Sequence, residues 1–91
     1  MSRARGTFEI VNELGLHARA AVKLTQTAAR FPCEVTVSRE GQTANAKSVM
    51  GVLLLCGAKG AKIAVMAEGD RAEEAVSAIG ELVAARFGEP R

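Results

Sequence analysis

Residues 7–21 read TFEIVNELGLHARAA and place a strand, a turn and the start of a helix in one short segment. Apolar and polar side chains alternate at its beginning, which predicts a first strand over Thr7–Val11. The turn at residues 12–15 contains a glycine, and apolar residues then recur at helical spacing over Ala18–Arg30. This strand, turn and helix is the unit from which the rest of the fold is predicted.

The remaining sequence continues the alternation of strands and helices. Ser48 is predicted to cap a short second helix, and Asp70 with Glu73 has the spacing of a capping box for the last helix. Further strands are expected at residues 33–38, 42–46 and 61–67, and further helices at about 49–55 and 71–85. The order β-α-β-β-α-β-α indicates an α+β fold with a four-stranded antiparallel sheet and three helices on one face. We expect one domain over residues 1–91, with residues 1–5 as a loose tail.

Composition narrows the possible functions. The chain of 91 residues is 48% apolar, which is enough for one small core. Aromatic residues make up 3% and the net charge is +2, so neither base-stacking surfaces nor a basic nucleic-acid footprint is expected. The longest apolar run, Val49–Cys56, is too short to cross a membrane. No hydrophobic signal segment follows the basic first residues, which favours a cytoplasmic protein.

The two cysteines do not suggest a disulfide or a metal site. Cys33 and Cys56 lie far apart in a sequence with no export signal, so we predict two buried free thiols. With one histidine and no C-x-x-C pair, ligands for zinc are missing at usable spacing. The sequence predicts neither a metal nor an organic cofactor.

The single histidine, His17, lies directly before the first predicted helix. The first turn of a helix has backbone N–H groups without intrahelical partners at the positive end of the macrodipole, which suits an anion. Arg19 adds a planar, forked set of donors. We predict that the imidazole takes up a phosphoryl group as a nucleophile, and that Ala18, Arg19 and Ala20 bind the phosphate.

A simpler interpretation remains open, in which His17 only caps the helix. We expect the site to have no second histidine, no acidic side chain placed as an orienting partner and no Gly-rich phosphate loop, and Glu13 has no assigned role. A complete enzyme with its own acid and base is therefore poorly supported, whereas a carrier needs little more than this histidine and its receptor.

The second predicted helix also has two interpretations. Ser48 satisfies a free N–H as a cap, and a phosphoryl group on its hydroxyl would act on partners. The helix is apolar almost all round, so some side chains are expected to be exposed for docking, with Met50 and Leu53 as candidates. The alternative is a helix sunk in the core. Lysines 23, 47 and 59 with Arg19 are expected to rim the docking patch, or to form a solvated charged face.

Two segments carry a family resemblance. The run Asn12–Ala21 and the run Lys47–Leu53 resemble, in order and separation, the two characteristic segments of HPr, the histidine-containing phosphocarrier of the bacterial phosphoenolpyruvate-dependent phosphotransferase system. The resemblance implies an open-faced β-sandwich, phosphorylation of His17 at Nδ1 and support of the phosphohistidine by Arg19. It also implies that Ser48 matches the serine modified by a kinase/phosphorylase, and that Met50 and Leu53 match docking positions.

The partners implied by the resemblance are enzyme I as donor and the A component of an enzyme II as acceptor. A kinase/phosphorylase and a transcriptional regulator are further partners of the family, and we expect a monomer with no membrane insertion. Ala20 stands where the family usually has proline, as in some nitrogen-related paralogues, so sugar transport is not fixed as the task. The rival hypotheses are a regulatory protein switched at Ser48 and a small ligand- or RNA-binding module, which the few aromatics disfavour.

Overall fold

The computed structural model describes residues 2–91 and has the predicted order of elements. Four strands form one sheet: β1 (Arg3–Glu9), β2 (Glu34–Arg39), β3 (Gln42–Asn45) and β4 (Lys62–Glu68). The helices are α1 (Ala18–Ala29), α2 (Val49–Leu53) and α3 (Ala72–Ala84), followed by one 3₁₀ turn at Arg86–Gly88. The α+β fold with an open-faced antiparallel sheet is confirmed.

The sheet has the strand order β1-β4-β2-β3, and every neighbouring pair is antiparallel. The register places Phe8 opposite Ile63 and Val37 opposite Val65. Alternate side chains of β2 and β4 are buried against the helices, while their neighbours point to the open face. The period of two in the sequence therefore corresponds to one covered face of the sheet.

The first strand starts earlier and ends earlier than predicted. Residues 3–5, expected to be a loose tail, pair with residues 66–68 of β4 and form the first half of β1. Ala4 packs partly against the core on one side of the strand, and Arg3 pairs with Glu68 at 3.2 Å on the exposed end. The composition Arg-Ala-Arg-Gly hid this strand, because its stability comes from cross-strand pairing with β4 and not from its own hydrophobicity.

The last helix begins differently from the prediction. The capping box was wrong, because the residue that precedes α3 is Arg71 and not Asp70. Arg71 lies in the left-handed region with φ 62°, and the described structure shows no side-chain cap hydrogen bond there. Its guanidinium instead bonds Glu74 and lies over the Phe31 ring, 4.9 Å from the centroid. Helix α3 therefore starts one residue late and takes its first-turn charge from Glu73 and Glu74.

The segment after α3 turns back toward the core. Arg86 and Phe87 both have positive φ, 58° and 54°, and the Phe87 side chain is fully buried. A non-glycine residue in this region is strained, and burial of a phenylalanine side chain, worth roughly 2 kcal/mol, offsets that strain. The turn redirects the following residues, 89–91, onto the loop between β1 and α1.

The prediction of two buried thiols holds for Cys33 only. Cys33 is 2% exposed beneath the turn after α1, whereas Cys56 is exposed in the loop after α2. Helix α2 ends at Leu53, so Cys56 lies beyond it, with a positive φ of 52°. Within residues 2–91, no helix combines the length and apolar character needed to cross a membrane.

Candidate functional site

His17 is the N-cap of α1. Its backbone is extended, with φ −74° and ψ 177°, and its carbonyl accepts the first helical bond from the Ala21 N–H at 2.9 Å. The side chain turns back onto the helix, so that Nδ1 accepts the Arg19 backbone N–H at 3.3 Å. The δ nitrogen therefore lies at the amide end of the helix, where the macrodipole is positive.

The turn before His17 is fixed by close backbone packing. The Leu16 N–H donates to the Gly57 carbonyl at 2.7 Å, which ties the turn to the loop after α2. Gly15 has φ +67°, and a Cβ there would lie 2.4 Å from the same carbonyl oxygen. Only glycine fits both the left-handed backbone and this close approach. The glycine noted in the sequence is thus what sets the direction from which His17 enters the helix.

A carboxylate that sequence reasoning missed contacts the imidazole. Glu89 Oε2 is hydrogen-bonded to Nε2 of His17, and its other oxygen accepts the Asn12 side-chain N–H at 3.0 Å. These two bonds, that from His17 first, lower the pKa of the Glu89 carboxyl below its ordinary value. Because 72 residues separate Glu89 from His17 in the chain, no local sequence pattern indicated the pair.

Asn12 connects this carboxylate to the turn. Its Nδ2 also donates to the Gly15 carbonyl at 2.9 Å, and the residue is fully buried. Its Oδ1 finds no hydrogen-bond partner within residues 2–91.

An open cavity of about 650 Å³ lies in front of the imidazole. The His17 side chain keeps 27% of its exposure there, and Arg19 is exposed on the same wall. No ion pair holds the Arg19 guanidinium among residues 2–91. The cavity is lined by Glu13, Leu14, His17, Ala18, Arg19, Glu89, Pro90 and Arg91. The site thus combines a nucleophilic nitrogen, a free guanidinium and room for an incoming group.

Two of the three predicted phosphate-binding residues line this cavity and one does not. Ala18 and Arg19 are exposed at its wall, whereas Ala20 is fully buried on the core side of α1. The methyl group of Ala20 therefore packs in the core, and only its backbone N–H could serve a phosphate.

The residues predicted on α2 lie outside the cavity. The Ser48 hydroxyl accepts the Gly51 N–H at 3.1 Å, which confirms the predicted cap. Met50 is 66% exposed, but Leu53 packs partly against the core and Leu54 is the exposed neighbour, at 67%. A helix of five residues gave too short a pattern to distinguish these two leucines from sequence.

Two of the lysines expected around the docking patch are engaged elsewhere. Lys23 Nζ donates to the Phe87 carbonyl at 2.6 Å. Lys47 Nζ donates to the carbonyls of Phe31 and Cys33, both at 2.8 Å. Their ammonium groups hold chain turns together, and the rim of the docking patch stays a prediction for both. Lys59 is exposed in the loop after α2.

Comparison with known proteins decides the family. The model of the HPr component phosphorylation site of the phosphotransferase system matches residues 4–85. The chain belongs to the HPr family. The phosphocarrier protein HPr of Cupriavidus necator is 46% identical over 80 residues, which are 88% of this chain and 90% of that one.

Solved HPr structures share the fold as well as the sequence. An HPr crystal structure from Thermoanaerobacter tengcongensis has a TM-score of 0.93 and 40% identity, covering 97% of this chain and 99% of that chain. Crh, a catabolite repression protein of Bacillus subtilis, has a TM-score of 0.74 and 32% identity over 81% of this chain and 85% of that one. The HPr resemblance of the two sequence segments is confirmed.

Proposed function

We propose that this HPr family member accepts a phosphoryl group from enzyme I on Nδ1 of His17 and passes it to the A component of an enzyme II. The observation that carries the proposal is the placement of Nδ1 at the amide end of α1, in a histidine that lines the same cavity as Arg19. The lone pair of an imidazole can attack phosphorus at neutral pH. The proposal includes the cytoplasm as the compartment and a monomer as the working form.

The receptor for the charge is built into the helix end. The first-turn N–H groups, including those of Ala18 and Ala20, have no intrahelical partner. A phosphoryl group on Nδ1 brings oxygens to these donors, and the exposed Arg19 guanidinium can close over them with a fork of two donors. The chain needs only to hold the group and release it, which suits a carrier.

The direct test is phosphorylation by enzyme I with phosphoenolpyruvate, followed by mass spectrometry and transfer to an enzyme II A component. Wild type is expected to gain one acid-labile phosphoryl group and to lose it when the acceptor is added. His17→Ala is expected to gain none, with its unfolding curve as the check on folding. Equal acid-labile labelling of His17→Ala would contradict the assignment.

Docking by α2 is the second part of the proposal. Helix α2 packs against α1, and within it Met50 is two-thirds exposed while Leu53 is partly buried, so a partner that covers α2 meets an apolar surface. We expect Met50→Ala to raise the KM for transfer from enzyme I. Met66→Ala is the matched control, because Met66 is exposed on the open face of the sheet. Equal KM values in the two variants would argue against docking through α2.

Regulation through Ser48 is a second candidate, favoured by the likeness to Crh, whose name refers to catabolite repression. A phosphoryl group on the Ser48 hydroxyl would replace a cap bond and add charge at the edge of the apolar surface of α2. Ser48→Asp combined with His17→Ala is expected to change the affinity of a regulatory partner. Unchanged affinity in that double variant, relative to His17→Ala alone, counts against this role.

A further inference from the structure

We propose that Glu89 is a positioning residue that holds His17 with its proton on Nε2, so that Nδ1 presents the lone pair that reacts with phosphorus. The inference rests on the function proposed above and names the group that selects the reacting nitrogen. It comes from contacts on both sides of the ring.

The two ring nitrogens have partners of opposite kind. A carboxylate can only accept, so the contact of Glu89 Oε2 with Nε2 requires that this nitrogen carry the hydrogen. A backbone N–H can only donate, so the Arg19 contact at 3.3 Å requires that Nδ1 have a free lone pair. Both contacts select the same tautomer, with the pair on Glu89 partly buried and the stronger of the two.

A carboxylate suits this position better than an amide. Two donors converge on Glu89, the ring Nε2–H on one oxygen and Asn12 Nδ2 on the other. A glutamine would offer only one acceptor oxygen to these two donors, and its NH₂ group would face the other. Asn12 Nδ2 therefore has an acceptor in Glu89 as well as in the Gly15 carbonyl.

Glu89 lies in a chain segment that is held by hydrogen bonds on both sides of it. Before Glu89, the Phe87 carbonyl accepts from Lys23 Nζ. After it, the Arg91 carbonyl accepts the Glu13 N–H at 3.0 Å. The Glu89 side chain is only 13% exposed as a result. This exposure is low for a glutamate, so the segment limits its freedom to leave the ring.

The same contact serves both directions of phosphoryl transfer. When Nδ1 attacks, the N–P bond forms, the bond from phosphorus to the donor breaks and Nε2 keeps its proton, so the ring becomes cationic. The Glu89 carboxylate balances that charge. The Arg19 N–H, held only loosely at 3.3 Å, is then free to donate to a phosphoryl oxygen. On transfer to an acceptor the N–P bond breaks and the neutral Nε2–H ring is restored.

The test reads the tautomer directly, without phosphorylation. The ¹⁵N shifts of both ring nitrogens are measured in the unphosphorylated chain at a pH well above the ordinary imidazole range near 6.5. Wild type is expected to show one protonated nitrogen, Nε2, and one unprotonated nitrogen, Nδ1. Glu89→Ala and Glu89→Gln are both expected to bring the two shifts closer together, as two tautomers average. Transfer from enzyme I is expected to slow about 10-fold or more, the scale of one charge-assisted hydrogen bond.

Glu13→Gln is the matched control for the tautomer. It removes a carboxylate from the same cavity that does not touch the ring, and whose pairing with Arg91 at 4.0 Å is exposed and weak. Its ring shifts are expected to equal those of wild type. Wild-type ring shifts in both Glu89 variants would overturn the inference while leaving the proposed function intact. A wild-type chain that enzyme I cannot phosphorylate would instead sink the proposed function, whatever the tautomer.

Discussion

The N-termini of helices α1 and α3 differ in the charged groups that lie at the positive end of the helix macrodipole. Both N-termini carry free N–H groups and the positive end of a macrodipole. Helix α3 has two carboxylates, Glu73 and Glu74, in its first turn, and the described structure shows no side-chain cap there. Helix α1 has no acidic residue in its first turn, and its cap is the His17 imidazole. The N-terminus of α3 thus has carboxylates in its own first turn, whereas that of α1 has none and is the end to which the proposed function assigns the phosphoryl group.

Glu89 is the carboxylate that contacts His17, the N-cap of α1. Glu89 contacts Nε2, the ring nitrogen on the far side from the helix amides, so its charge does not occupy the place of an incoming anion. The comparison indicates that the positions of the carboxylates, more than the composition of the helix, distinguish an N-terminus with a structural role from one that can bind an anion. The predictions below test this difference, from the largest expected effect to the smallest.

Removal of the free guanidinium is expected to have the largest effect. Arg19→Ala deletes donors that nothing else at the start of α1 replaces, and we expect phosphoryl transfer to slow about 100-fold, as on loss of one transition-state donor. Stability should change little, because the side chain is exposed. Arg19→Lys keeps the charge but lacks the forked pair of donors. Its rate of single-turnover transfer from enzyme I is expected to lie between those of wild type and Arg19→Ala. Equal rates for all three proteins would remove Arg19 from the site.

An acid in the first turn of α1 would make it resemble α3. Ala18→Glu is expected to stabilise the fold by about 0.3–1 kcal/mol through the macrodipole, while repulsion slows phosphorylation of His17 about 10-fold. Ala18→Gln is the control, since it adds the same volume without the charge. The free energy of unfolding, from chemical denaturation, should rise while the transfer rate falls in Ala18→Glu, and these opposite changes should be absent from Ala18→Gln. Faster transfer in Ala18→Glu would break the comparison between the two helices.

Helix α2 gives an intermediate case, with an uncharged cap from Ser48. Ser48→Ala removes the acceptor for the Gly51 N–H and is expected to lower the free energy of unfolding by about 1 kcal/mol. Ser77→Ala, at an exposed position within α3, is the control and should stay within about 0.5 kcal/mol of wild type. Urea unfolding distinguishes these values, and equal midpoints would show that the cap adds nothing.

The smallest effect is expected at the start of α3 and depends on pH. Hydrogen bonding and charge from Arg71 lower the pKa of the Glu74 carboxyl below its ordinary value of 4.5. A group with a lowered pKa stabilises the fold above its ordinary value, and this contribution is lost as the pH falls through the lowered one. The difference in free energy of unfolding between wild type and Glu74→Gln should therefore be small and constant above pH 4.5. It should disappear in more acidic solution.

Glu73→Gln is the companion measurement for that pair. It removes a carboxylate from the same turn of α3 that forms no ion pair within the described chain, so it reports on the macrodipole without the Arg71 contact. A Glu74→Gln difference that grew toward acidic pH would contradict the assigned sign.

Local patterns predicted most of the fold, and the errors have physical causes. The alternation in β2 and β4 and the stripe of α1 reflect direct burial, so they were visible in the sequence. The start of β1 depends on pairing with β4, and the start of α3 depends on a left-handed Arg71, neither of which has a local signature. His17 and Arg19 were found because they lie within one helical turn.

The missing part of the site is the part built by tertiary structure. Glu89 reaches the ring because Arg86 and Phe87 turn the chain back after α3, and a conformation with two consecutive positive φ values in non-glycine residues is not predictable from composition. The sequence indicated Asn12 only as a turn residue. Its link between the turn and Glu89 depends on the fold, in which Nδ2 donates to both the Gly15 carbonyl and the Glu89 carboxylate. The leucine facing solvent on α2 was misjudged by one residue.

The unequal environments of the two cysteines give this protein a built-in attachment point. A maleimide dye is expected to couple to Cys56 and to spare Cys33, because one thiol is exposed and the other is enclosed. Cys56 adjoins Gly57, whose carbonyl binds the residue just before His17. A fluorophore there would lie close in the chain to the Gly57 carbonyl that binds Leu16 and could report the approach of other proteins, with no engineered residue in the chain.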